Sequence, residues 1–125
     1  MRAIIIDPFN RSVLETDIDG SAASITELLG CDMLQIAHRF ETGDTLYVDE
    51  EGLIKAQDAL QGSDEGERAF AFDVGAHQPF VGKGVILGPE NDKGSHTDAV
   101  MPTSRLSAIV FLAPAITRHV GALPN

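Results

Sequence analysis

The apolar positions of this chain fall in short runs, most of them alternating with polar residues and closed by glycine, proline or acidic residues. A period of two puts successive side chains on opposite faces of a strand, so the pattern predicts mainly β-structure. Ala3-Ile4-Ile5-Ile6 is continuous and β-branched. It predicts a strand buried on both faces and ended by Asp7-Pro8. Phe9-Asn10-Arg11 predicts a turn, and Ser12 to Asp17 a second strand forming a hairpin with the first. Met33 to His38 alternates, with Leu34, Ile36 and His38 on one face and Met33, Gln35 and Ala37 on the other. Thr42-Gly43-Asp44 turns the chain into Thr45 to Val48, where Leu46 and Val48 share a face. Glu50-Glu51-Gly52 is a further turn. Phe70, Phe72 and Val74 predict another strand, as do Gly84 to Leu87 and, before Pro114, Ile109 to Leu112.

Helical spacing is rarer. Ala22, Ile25, Leu28 and Leu29 form one apolar stripe, with Glu27 on the other side. Ser21 is placed to accept from an orphan backbone N–H at the start, and Gly30 to take the left-handed conformation at the end. Leu53 to Leu60 allows a helical turn or two, and Pro102 opens a short helix through Ala108. Gln61 to Glu67 is a glycine-rich acidic loop, expected to be the most mobile segment. The sum is an α+β fold in a single domain over residues 1–114. It has a mostly antiparallel sheet of about five to seven short strands, with two or three short helices gathered on one face. Residues 115–125 read as a C-terminal tail.

A chain of 125 residues can bury one core without covalent staples. Cys31 is the sole cysteine, so no intrachain disulfide forms, and the default compartment is the cytoplasm. The N-terminal apolar run is too short for a signal peptide, and no stretch approaches the roughly 20 apolar residues of a membrane span. Nineteen acidic residues against nine basic ones give a net charge of −10. That balance disfavours nucleic acid and anionic membranes, since phosphate binding needs a cationic footprint. The charge is uneven. Glu41 to Arg68 carries nine acids and two bases. This run is either a solubilising face or an acidic surface for a basic protein partner, with Asp49, Glu50, Glu51, Asp64 and Glu65 as its candidate contacts.

Four blocks carry a resemblance: Arg2-Ala3-Ile4-Ile5-Ile6-Asp7-Pro8, Ile25-Thr26-Glu27-Leu28-Leu29-Gly30, Leu46-Tyr47-Val48-Asp49-Glu50-Glu51-Gly52 and Gln78-Pro79-Phe80-Val81-Gly82-Lys83-Gly84-Val85-Ile86-Leu87-Gly88. In order and spacing they resemble a family of small proteins of unknown activity from phages, plasmids and other bacterial mobile elements. The resemblance runs from about Met1 to Leu112. It implies a genomic setting, and supplies no catalytic residues.

The familiar catalytic and metal patterns do not appear. His38, His77, His96 and His119 stand in no metal-ligand spacing with each other or with Cys31, so no metal or cofactor is expected. Ser95-His96-Thr97-Asp98 holds triad residue types side by side, whereas triads converge through the fold; it reads as turn chemistry. The glycine of Asp44 to Gly52 is misplaced for a calcium loop, and Gly82-Lys83-Gly84 lacks the rest of a phosphate loop. Cys31, beside Asp32, reads as a small core residue. His77, Gln78, Phe80 and Lys83 remain, in a stretch rich in glycine. They are either a hairpin loop with Phe80 packed on the core, or a small-ligand site. In the second case Lys83 holds an anionic group, His77 and Gln78 donate, and Phe80 stacks.

The expectation is a non-enzymatic interaction protein of a mobile genetic element, interfering with a host defence or regulatory protein through its acidic surface. The alternative is a nucleotide-like small-molecule binding or sequestering module using the 75–84 loop.

Overall fold

The computed structural model describes residues 1–52, 71–76 and 79–112. Its elements are β1 (Arg2–Asp7), β2 (Ser12–Asp17), α1 (Ala22–Leu29), β3 (Leu34–Arg39), β4 (Thr45–Asp49), β5 (Ala71–Asp73), β6 (Phe80–Val81), β7 (Gly84–Leu87), a 3₁₀ helix (Thr103–Ala108) and β8 (Val110–Leu112). Among the described residues all strand pairs are antiparallel. The fold is α+β, with a five-stranded sheet in the order β2-β1-β7-β4-β3 and a three-stranded sheet in the order β6-β5-β8. The pattern predicts one sheet; the described residues form two. Gly82, at φ 87°, lies in the two-residue link between β6 and β7, so adjacent runs enter different sheets. The helix expected over Leu53 to Leu60, the acidic loop of Gln61 to Glu67 and the tail of 115–125 lie outside the described residues.

β1 is an interior strand, between β2 and β7, which explains its continuous apolar run. Ile4 and Ile6 face one side and Ala3 the other, all fully buried. The β1–β2 turn is held by Asp7, whose carboxylate accepts from the Phe9 amide at 3.0 Å, while Arg11 takes a φ of 53°.

α1 forms where its punctuation predicts. Ser21 Oγ accepts from the Ser24 amide at 3.1 Å. Gly30, at φ 66°, closes the helix, with the Cys31 amide donating to the Thr26 carbonyl at 3.1 Å. Asp19 accepts from the Ser21 hydroxyl and amide, and these bonds hold its carboxyl at about 2. Ile25 is buried and Glu27 exposed, as the stripe requires. Cys31 is half-buried just past the helix end, not a core residue.

The five-stranded sheet has a different cover on each face. Ile4, Ile6, Leu46, Val48 and Ile86 pack against Phe72 and Phe80 of the second sheet and Leu106 of the 3₁₀ helix. Ala3, Val85 and Leu87 pack against Ile25 of α1. The helical elements therefore sit on opposite faces, not together. The reason is that the three-stranded sheet and the 3₁₀ helix share one core, which leaves the other face to α1. Gly84 lies directly under Phe72: a Cβ there would stand 2.7 Å from the ring. A missing side chain thus lets the two sheets approach.

β3 departs from its predicted alternation. Ile36 pairs with Tyr47, but His38 pairs with Leu46, so a bulge intervenes at Ala37. The extra residue moves His38 to the face opposite Leu34 and Ile36, where its ring meets Phe40 edge-on at 4.7 Å.

Residues 97–101 cross the end of the five-stranded sheet as a strap. The Gly88 amide donates to the Thr97 carbonyl and the Ala99 amide to the Arg2 carbonyl. Asp44, fully buried at the start of β4, accepts from the Val100 and Met101 amides at 2.9 Å each and from the Thr42 hydroxyl. Two amides and a hydroxyl satisfy a carboxylate that would otherwise be costly to bury.

Candidate functional site

The 75–84 segment is partly a hairpin. β5 and β6 pair Phe72 with Phe80, and the two rings lie 5.9 Å apart. Phe80 is 7% exposed, so its ring belongs to the inter-sheet core and offers no stacking face to a ligand. This corrects the ligand-site expectation for Phe80: cross-strand pairing with a core phenylalanine draws it inward. Lys83 is half-buried in the link to β7. His77 and Gln78 lie outside the described residues.

The acidic candidates at the end of β4 are brought together. Asp49 closes the strand opposite Leu34, and its carboxylate accepts from the Glu51 amide at 2.9 Å. The Glu50 amide donates to the Met33 carbonyl at 3.0 Å, and Glu50 is exposed. Asp49 thus shapes the turn that presents Glu50 and Glu51. Asp64 and Glu65 lie outside the described residues.

Beside these stands a pair that the sequence does not bring together. Tyr47 Oη lies 2.6 Å from His96 Nε2, and His96 Nδ1 lies 2.8 Å from the Gly88 carbonyl. A carbonyl only accepts, so Nδ1 carries the hydrogen, and in that tautomer Nε2 accepts from the phenol. The rings meet edge-on at 5.4 Å. Burial, then the nearby charge of Glu90, raises the Tyr47 pKa above 10.0, against a smaller opposing effect of Arg39. The contact joins β4 to the segment after β7 as a latch. It pins the excursion of residues 89–97 to the helix-covered face of the sheet. The remaining triad types go elsewhere. The Thr97 amide and hydroxyl both donate to the Pro89 carbonyl, and Asp98 accepts from the Arg2 amide. One signal in the chain hints at the latch. The alternation of β4 sets Tyr47 opposite Leu46 and Val48, and a partly buried tyrosine wants a partner for its hydroxyl.

Among the described residues, no three histidine, cysteine or carboxylate side chains gather in a way that could hold a metal ion. No helix among them is long and apolar enough to cross a membrane. Neither a curated protein nor a solved structure matches the chain. The family model described as a domain of unknown function (DUF3846) matches residues 1–105, from β1 into the 3₁₀ helix, and the chain belongs to that family.

Proposed function

We propose that the chain is a non-enzymatic interaction protein of a mobile genetic element, engaging a basic patch on a host defence or regulatory protein through its acidic surface. The observation that carries this reading is the charge. A net −10 is spread over 125 residues, and the β4 turn presents Glu50 to solvent between Asp49 and Glu51. Such a field steers a cationic partner into encounter and repels nucleic acid and anionic lipid. The mobile-element setting rests on the likeness of the four sequence blocks to phage and plasmid proteins. The small-molecule alternative has lost its stacking group, because Phe80 is in the core.

The test is a pull-down from host lysate with mass spectrometry, followed by binding kinetics on the protein captured. The variant is Glu50→Lys/Glu51→Lys. Asp49 is left in place because it holds the turn. We expect the double variant to lower the association rate about tenfold at low salt, with the difference shrinking as salt shortens the screening length. Equal association of variant and wild type at low salt would refute the acidic surface as the contact.

A further inference from the structure

β3 is the outermost strand of the five-stranded sheet, and among the described residues no strand pairs with its outer edge, where exposed apolar side chains stand at Ile36 and, just before the strand, at Met33. Met33 is 51% exposed and Ile36 46% exposed. The hydrogen-bond phase of that edge follows from two contacts. The Glu50 amide reaches the Met33 carbonyl, and the Phe40 amide reaches the Asp44 carbonyl. In an antiparallel ladder, residues alternate between bonding the neighbour and pointing away from it. Met33 and Gln35 therefore bond toward β4, while Leu34 and Ile36 turn their N–H and C=O groups outward. The bulge at Ala37 limits this clean edge to the first half of the strand.

We propose that this edge pairs with β3 of a second copy of the chain, antiparallel about a two-fold axis at Gln35. Outward-bonding residues can pair only with outward-bonding residues. A two-fold at Gln35 sets Leu34 of each copy against Ile36 of the other. It brings Asp32, exposed before β3, to the His38–Arg39 end of the second copy. Arg39 is exposed as well, so two opposite-charge contacts form per dimer and fix the register. The opposite edge is less suited. β2 lies against the 3₁₀ helix and carries Glu15 and Asp17 with no basic residue, so self-pairing would set acids together.

The test is sedimentation equilibrium of the full chain from low to high micromolar concentration. A concentration-dependent dimer is expected. Ile36→Lys should leave a monomer, and Leu14→Lys on the other edge should leave the dimer intact. Arg39→Glu should weaken dimerisation about tenfold, and Asp32→Arg/Arg39→Glu should restore it. All four positions are exposed, so circular dichroism should be the same throughout. A monomer at every concentration overturns the proposal. So does a dimer that survives Ile36→Lys, one lost with Leu14→Lys, or a charge swap that fails to restore association.

Discussion

The two faces of the five-stranded sheet are closed in different ways. One face is sealed by β5, β6 and the 3₁₀ helix, whose core side chains come from across the chain: Ile4, Leu46, Phe72, Ile86 and Leu106. The other is covered, among the described residues, by the eight-residue helix α1 and by the excursion that His96 anchors at Tyr47. A helix is about 10 Å wide, whereas five strands at about 4.8 Å spacing span roughly 20 Å. α1 lies over β4 and β7. The outer strands are covered less fully on that side: Leu34 packs on the core, while Leu14 and Ile36 stand exposed. The covering of each face thus follows from the size of the element that reached it.

Substitutions on the two faces test this contrast. Phe80→Ala should cost about 3–5 kcal/mol, because the inter-sheet core cannot collapse around the missing ring. Urea denaturation would measure it, and a near-unchanged midpoint would place the ring outside the core. Ile25→Ala should cost somewhat less, about 2–4 kcal/mol, since one helix can shift to fill part of the gap. Equal losses at the two sites would remove the distinction between the faces.

The smallest expected effect is at the Tyr47–His96 latch. Tyr47→Phe should cost about 0.5–1.5 kcal/mol, the usual net worth of one hydrogen bond. Its pH dependence has a definite sign. The folded-state pKa lies above 10.0, so the unfolded chain loses the phenolic proton first. The stabilisation is complete below pH 10.0 and is lost as pH rises through the folded-state value. Tyr47 is the sole tyrosine, so phenolate absorbance reports this titration directly. A midpoint at or below 10.0 in the folded protein would contradict the buried, donating phenol.

Several elements were legible because their causes are local. Ser21 and Gly30 bound α1 by satisfying orphan backbone groups within a few residues. The β1–β2 hairpin follows from two short runs and an Asp7-Pro8 stop. The failures are equally particular. For Phe80 the sequence left a packed and a ligand-facing reading open, and nothing nearby in the chain says that Phe72 will pair with it. The bulge at Ala37 is invisible to a period-two reading, because an inserted residue leaves the composition of the strand unchanged. Asp44 read as turn chemistry, yet its carboxylate holds residues 100 and 101, more than fifty positions away.

The α+β class, the limits of α1, the first hairpin and the acidic character follow from the sequence alone. These depend on backbone geometry, side-chain periodicity and charge count, which act over a few residues or are independent of folding. Tertiary structure alone decided that the strands divide into two sheets, that the helices take opposite faces, and that Tyr47 meets His96. Each of those outcomes depends on which distant segments meet, and that is set by the packing of the whole core.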